Sequence, residues 1–139
     1  MLYFVPMLKK NNVFPKITRP GEYVAFLNLK VPTMEGPAYV FLACDGFSEF
    51  AFNICTEPDE SPESIIKAVY LLTENKDFAR HRDQGFTLVF SRFEELSERL
   101  DLVVRTFNGK LMFNKNFHKK IAEPLVLAMN QYLRQGRDV

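Results

Sequence analysis

The chain has 139 residues, of which 47% are hydrophobic and 25% charged, and its formal net charge is +1. These values predict one compact soluble domain and exclude both a multidomain assembly and a disordered chain. The longest uninterrupted apolar run, 38–44, is shorter than the roughly 18 residues that a membrane-spanning helix needs, so no membrane partner is expected.

The first residues do not follow the order of a secretory signal. No basic stretch precedes Met1–Val5, Pro6 interrupts the apolar run, and Lys9 and Lys10 follow directly. We therefore expect the chain in the cytoplasm.

Charge is distributed unevenly along the chain. Residues 1–21 carry four basic side chains and no acid, residues 22–104 have a net charge of −8, and residues 105–139 have a net charge of +5. Basic ends around an acidic middle fit two arrangements: the termini contact a polyanion, or they fold back onto the acidic surface of the same molecule. A nucleic-acid binder usually shows a stronger basic excess than this chain.

Residues 1–20 have a composition that disfavours both a helix and a central strand. They combine apolar residues with Lys9–Asn12 and contain three prolines, Pro6, Pro15 and Pro20. We interpret residues 1–20 as a basic, proline-broken N-terminal arm and residues 21–139 as one domain.

Three strands are predicted after the arm. Tyr23–Val31 is rich in residues that favour strands, and a turn at Pro32–Pro37 leads to the apolar run Ala38–Cys44. Asp45-Gly46 then predicts a tight turn into a third strand, Phe47–Cys55. Together the three strands predict an antiparallel meander.

The acidic stretch Thr56–Ser64 predicts the start of a helix rather than a metal site. Ser61 can accept hydrogen bonds as the N-cap, and Pro62 fits the first helical position. The surrounding carboxylates favour the positive end of the helix dipole. Apolar residues then recur at helical spacing: Ile65, Ala68, Val69 and Leu72.

The next segment predicts a strand, a short helix and another strand. Gly85–Phe93 is the fourth strand and Glu94–Leu100 the short helix. Leu102–Phe107 is the fifth strand, which ends at the turn pair Asn108-Gly109.

A last helix begins after Asn114, and Pro124 either kinks it or opens its second half as a first-turn proline. The resulting order predicts an α/β fold with a mixed five-stranded sheet. Three strands form the antiparallel meander, two are crossover strands, and helices pack on the faces of the sheet.

This order is that of ribonuclease H-like folds, and several segments resemble the catalytic core of DDE transposases and retroviral-type integrases. Pro20–Val24 is similar to the lead into the first integrase strand. Tyr39–Ser48 resembles the second strand and its turn, where the family often has Val-Asp-x-Phe-Ser-Arg. Residues 57–72 resemble the cap and helix after the third strand, and 87–100 the fourth strand and its short helix. The resemblance covers most of residues 20–133.

The resemblance implies a catalytic site that this sequence lacks in part. The family uses two aspartates and one glutamate to hold two Mg²⁺ ions for in-line attack on a phosphodiester. Leu27 or Asn28 stands at the first aspartate position, and Ser91 stands at the second, followed by Arg92. Only Glu123 matches the glutamate in position. We therefore expect no enzymatic activity, no bound metal and no cofactor.

A weak alternative is a metal-dependent phosphodiester hydrolase in which Asp45, Asp83 and Glu123, with or without His118, converge. Asp83 lies in His81–Gly85, which is similar to the His-Ser-Asp-Gln-Gly segment of some insertion-sequence transposases. It would precede the fourth strand rather than end it. Asp45 is expected to serve the turn after the second strand, and the lone His118 is expected at the surface.

Cys44 and Cys55 lie on neighbouring predicted strands at positions that cannot face each other. With two cysteines and no CxxC spacing, we expect buried strand thiols rather than a disulfide or a zinc site.

The sequence predicts a catalytically inactive integrase-core-like domain that acts as a nucleic-acid-binding module or as a protein-interaction module through self-association. The expected partners are DNA or a second copy of the chain, as a homodimer. A non-functional remnant of a mobile element is a further alternative. DNA phosphates would be contacted by lysines of the basic ends: Lys9, Lys10, Lys16, Lys115, Lys119 and Lys120.

Overall fold

A mixed five-stranded sheet organises the chain. The computed structural model describes residues 14–137, with side chains as far as residue 131. Its strands are β1 (Tyr23–Thr33), β2 (Gly36–Asp45), β3 (Ala51–Glu57), β4 (Phe86–Phe90) and β5 (Gly109–Phe113), in the spatial order β3-β2-β1-β4-β5. β1, β2 and β3 pair antiparallel, whereas β4 runs parallel to β1 and β5 runs parallel to β4. The predicted mixed five-stranded α/β sheet, with three antiparallel strands and two crossover strands, is confirmed.

Four helices in the described part of the chain connect and cover the strands. They are α1 (Pro62–Glu74), α2 (Lys76–Arg82), α3 (Ser97–Thr106) and α4 (Lys115–Arg137), with a 3-10 turn at Glu94–Leu96 before α3. Within residues 14–137, none of these helices is both long and apolar enough to cross a bilayer.

The start of α1 is the one that the sequence predicts. Ser61 is the N-cap, and its Oγ accepts a hydrogen bond from the Ser64 N–H at 3.2 Å, while Pro62 occupies the first helical position. α2 was not predicted. Asn75 ends α1 and caps α2 at once, because its side-chain oxygen accepts from the N–H groups of the next helix.

The sheet separates two hydrophobic cores, since successive strand residues point to opposite faces. Val24 and Phe26 of β1 face the first core, which α1, α2 and α3 cover. Ala25 and Leu27 face the second core, which α4 covers through Phe117, Ile121 and Ala122. The central strand β1 therefore contributes to both cores with alternate side chains.

The prediction of a fifth strand at Leu102–Phe107 is wrong. This segment belongs to α3, and β5 follows it at Gly109–Phe113. Leu100, Val103 and Val104 are buried at helical spacing, and Leu102 is 71% exposed between them. A run of branched apolar residues fits a strand as well as a helix, and here burial of one helical face decides.

β3 begins later than predicted, at Ala51 rather than Phe47. Residues 46–50 form the connection instead, and the N–H of Asp45 donates to the carbonyl of Phe50 at 2.8 Å to close it.

α4 begins directly after Asn114, as predicted, and the helix continues through Pro124. Asn114 caps α4, since its side-chain oxygen accepts from the Phe117 N–H at 2.9 Å.

β1 pairs with its two neighbours over very different lengths. Ten residue pairs join β1 to β2, whereas only Tyr23–Ala25 pair with β4. The pairing ends at Ala25 because β4 stops at Phe90, whereas β1 continues to Thr33. Past the end of β4, a gap lies between β1, the end of β4 and α4.

Candidate functional site

A cavity of about 320 Å³ opens at the gap between β1, the end of β4 and α4. Leu27 from β1 and Ser91, directly after β4, form one side. Residues of α4 form the other side, among them Lys115, Lys119 and Glu123. The structure thus brings together Leu27, Ser91 and Glu123, three positions that the resemblance relates to the metal carboxylates.

Leu27, not Asn28, lies at this cavity. Strand alternation turns Asn28 away from α4, and its side-chain amide donates to the carboxylate of Glu60. Glu60 also forms an ion pair with Arg92, with 3.4 Å between Nη1 and Oε2. The first metal position therefore carries an aliphatic side chain, and Asn28 takes part in a separate polar contact.

The lining of the cavity is poor in carboxylates. Glu123 is its only acidic residue, and it is exposed. Lys115 and Lys119, both exposed, place two ammonium groups at the same opening. Across residues 14–131, no group of three or more His, Cys, Asp or Glu side chains is arranged to hold a metal ion.

His118 is buried, so the expectation of a surface histidine is wrong. Its Nε2 lies 2.7 Å from the carbonyl oxygen of Phe26, the first β1 residue beyond the pairing with β4. Because a carbonyl only accepts hydrogen bonds, Nε2 carries the proton and donates. The spacing of His118 from Ile121 and Ala122 puts all three on the buried face of α4, a signal that the sequence contains.

Burial lowers the pKa of His118 from the usual histidine value, and the hydrogen bond to Phe26 acts in the opposite direction to a smaller extent. The ring is therefore neutral at pH 7. Its hydrogen bond replaces, at Phe26, the strand contact that β4 no longer provides.

Asp45 has the turn role that the sequence predicts. Its carboxylate accepts from the N–H of Gly21 at 2.9 Å and from the N–H and Oγ of Ser48 at 3.1 and 2.6 Å. These bonds fix the connection between β2 and β3 and tie it to the start of β1.

The three acids of the alternative hydrolase site do not share one cavity. Asp45 lines a separate cavity of about 150 Å³ beside α2, whereas Glu123 lines the cavity at α4. Asp83 is the exposed residue that ends α2.

The lysines of the basic ends have different surroundings. Lys115 and Lys119 line the cavity at α4, Lys16 is exposed, and the ammonium of Lys120 lies 5.5 Å from the ring centroid of Phe14. The Phe14 ring in turn stacks on Phe117 at 5.4 Å. Lys9 and Lys10 lie outside the described residues.

Both cysteines are free. Cys44 packs in the second core and Cys55 against the first, so they lie on opposite faces of the sheet. Burial raises the pKa of Cys44 to about 11, and the charges of Asp45 and Glu49 act in the same direction. Cys44 is a protonated thiol at neutral pH, which disfavours both nucleophilic and metal-ligand roles.

Phe93 has an unusual backbone conformation, with φ at +74°. It follows Ser91 and Arg92, directly after β4. Phe93 thus has a backbone conformation that glycine adopts without strain. Its ring packs against the first core, and the Arg92 guanidinium lies 4.8 Å from the ring centroid.

No protein-family model matches this chain, and no curated protein does. Among solved structures, the chain is similar to the simian T-cell lymphotropic virus intasome in complex with the PP2A regulatory subunit B56 gamma. The TM-score is 0.62 and the identity 9%, over 88% of this chain and 42% of that chain. The present chain therefore spans less than half of that matched chain.

The chain is also similar to the HTLV-2 integrase catalytic core domain in complex with magnesium. The trimeric form gives a TM-score of 0.53 with 10% identity, over 86% of this chain and 76% of that one. The dimeric form gives 0.53 with 11% identity, over 89% and 79%. At this identity the comparison shows the fold alone, which is that of a retroviral integrase catalytic core.

Two substitutions at Phe93 test the strain in its backbone. Phe93→Ala and Phe93→Gly both lose the packing of the ring, but only glycine adopts a positive φ without steric cost. We expect the glycine variant to be more stable by about 1 kcal/mol in urea unfolding followed by circular dichroism. At the exposed helical position Leu102, the same pair should show the reverse order by about 1 kcal/mol. A less stable glycine variant at Phe93 would contradict the strain.

The buried His118 predicts a pH-dependent stability. The unfolded state binds the proton more tightly than the folded state, so the free energy of unfolding should fall as pH drops below about 6.5. Above that pH, His118 is neutral in both states and contributes no pH dependence. Urea unfolding at a series of pH values measures this. His118→Gln keeps an N–H donor but does not titrate, so its free energy of unfolding should decrease less on acidification. An unchanged decrease would rule out His118 as the source of the pH dependence.

Proposed function

We propose that this chain is a catalytically inactive domain with an integrase-core-like fold that binds the nucleic-acid backbone through its α4 face. The observation that carries the proposal is the cavity at α4. Leu27 and Ser91 occupy two of the three positions at which the resembled family has metal-binding carboxylates. Lys115 and Lys119 line the same cavity.

A two-metal site needs several carboxylates to balance the charge of two divalent ions. Here Glu123 is the single acid of the lining, and Leu27 can neither coordinate a metal nor accept a proton. Phosphodiester chemistry through two metals therefore lacks its ligands at this position.

The charge around the same opening suits a phosphate. Lys115 and Lys119 lie one helical turn apart, and the first turn of α4 contains no acidic side chain. The positive end of the helix dipole adds to their field. A polyanion that lies along the start of α4 would meet positive potential from all three.

The existing ion pairs favour contact with an external polyanion over folding back onto the acidic surface. Within the described side chains, the ion pairs are formed by other cations, namely Lys67, Arg80, Arg92, Arg99 and Arg105. Lys115 and Lys119 are exposed and take part in none of these pairs. Their charge remains available to a partner.

Charge reversal on α4 tests DNA binding. In fluorescence anisotropy with labelled duplex DNA at low salt, the double variant Lys115→Glu and Lys119→Glu should bind at least about tenfold more weakly. The slope of log affinity against log salt should decrease by about 2, because two phosphate contacts are lost. The matched control is Lys76→Glu with Arg80→Glu, which has the same spacing and charge change on α2, across the sheet.

Three outcomes would contradict the proposal. The first is no binding by the unchanged chain at low salt, and the second is an equal loss in both double variants. The third is manganese-dependent cleavage of the labelled DNA that Glu123→Gln abolishes. This result would support the hydrolase alternative.

Self-association is a second candidate, favoured by an apolar cavity of about 530 Å³ between the end of β1 and the middle of α4. Its lining includes Leu29, Val31, Val126 and Met129, and Val31 and Val126 are 38% and 41% exposed. Exposed apolar side chains beside such a cavity suit contact with a second copy of the chain. The similar HTLV-2 core domain is described in dimeric and trimeric forms.

Sedimentation equilibrium tests this second candidate. We expect a concentration-dependent dimer whose dissociation constant rises about tenfold in Val31→Asp, because a charge would be buried at the contact. Leu102→Asp, on the exposed side of α3, is the control and should leave the dimer unchanged. A monomer at all concentrations would exclude self-association.

A further inference from the structure

We propose a second anion site, at the end of the sheet opposite the cavity at α4, that takes a phosphate group. A cavity of about 380 Å³ lies where β4 and β5 begin, beside the segment that leads into β1. Its charged lining consists of Arg19, Glu22, Arg105 and Lys110. The site shares no residue with the α4 face, so it stands independently of the proposed function.

Arg19 is held in place at this cavity by backbone oxygens. Its Nη2 donates to the carbonyls of Gln84 and Gly85 at 3.0 and 2.8 Å. Its other terminal nitrogen, Nη1, is buried and has no hydrogen-bond partner among the described residues. The two carbonyls thus fix the guanidinium charge of Arg19 at the wall of the cavity.

Two further cations border the cavity. Arg105 uses its Nε to donate to Asp101 at 2.9 Å, which leaves its terminal nitrogens for another acceptor, and Lys110 is exposed. Glu22 is the only acid of the lining. Its Oε1 already accepts from the N–H and Oγ1 of Thr18 at 2.6 and 3.1 Å.

The bonds from Thr18, the backbone N–H first, hold the pKa of Glu22 below its usual range, so the carboxylate is charged at neutral pH. The three cations, set against Glu22 and the Asp101 carboxylate that pairs with Arg105, leave one net positive charge at the cavity. A positive cavity suits a phosphate group, and a guanidinium presents the paired donors that phosphate oxygens accept.

The walls of the cavity are fixed without a ligand. The side-chain amide of Asn108 donates to the carbonyls of Arg82 and Asp83, both at 3.3 Å, and so joins the turn before β5 to the turn before β4. Gly85 precedes β4 with a positive φ of 87°, and Gly109 begins β5 where the Phe86 ring occupies the space that a Cβ would need. A preformed site of this kind binds without first paying for loop ordering.

Amide NMR of the full chain tests the site, with sodium phosphate titrated against sodium chloride at constant ionic strength. We expect saturable shifts at Gly85, Gly109 and the Nε of Arg19, with little change along α4. Lys110→Gln should raise the phosphate dissociation constant about tenfold, since one charged contact is lost. Arg105→Gln provides a second variant if Lys110→Gln fails to fold. Lys115→Gln is the control and should leave phosphate binding unchanged.

Shifts that never saturate would overturn the site, as would equal weakening by Lys110→Gln and Lys115→Gln. Adding a short DNA duplex then separates two sources of the phosphate. Competition by DNA for the Gly85 and Gly109 shifts would identify a nucleic-acid phosphate, whereas their persistence would identify a small phosphorylated molecule. Loss of DNA binding at Lys115 and Lys119 leaves this result unaffected, so the two proposals can fail separately.

Discussion

The central strand β1 is held on its two sides by contacts of unequal length, and the site follows from that inequality. On one side it pairs with β2 along its whole length, and on the other it pairs with β4 at Tyr23–Ala25 alone. A backbone carbonyl that loses its strand partner inside a protein must find another donor. At Phe26 that donor is His118 of α4. The histidine thus links helix to sheet at the point where the pairing of β1 with β4 ends.

The cavity at α4 lies past the end of this pairing, and the chemistry of its walls depends on single side chains. Leu27 and Ser91 contribute no charge to the lining, and Glu123 is its only carboxylate. Directly beyond Ser91 and Arg92, Phe93 has a positive φ, which glycine adopts without strain. Residual positive charge from α4 makes the same opening suitable for an anion.

Much of the fold is predictable from sequence, because local signals agreed with the tertiary structure. Ser61 and Pro62 mark a helix start on local grounds alone, and the alternation in β1 reflects two covered faces. The wrong prediction of a strand at Leu102–Phe107 has a physical cause, since a short run of branched apolar residues fits both a helix and a strand. α2 was not predicted because the single residue Asn75 is both the C-cap of α1 and the N-cap of α2.

The site was predicted less completely than the fold. The resemblance located the first metal position only to Leu27 or Asn28, and one residue decides which face of a strand a side chain occupies. That choice needs the position of α4, which lies far along the chain. The burial of His118 could be predicted from its spacing with Ile121 and Ala122, but its partner could not, because a backbone carbonyl leaves no trace in side-chain patterns. The cavity bordered by Arg19 is lined by three segments that are distant in sequence, so no local motif indicates it.

Among residues 14–137, the unequal pairing of β1 also leaves the distal part of the β1–β2 hairpin with a backbone edge that no strand pairs. Such an edge is a template for a strand from another molecule, and the fully exposed Met34 at its tip offers no cover. Lys30 and Pro32 stand on that strand. A charge opposes close approach, and a residue without an N–H interrupts any added ladder. A second molecule that docks beside the hairpin is thereby directed to the side chains, and continuous growth of the sheet from one molecule to the next is blocked.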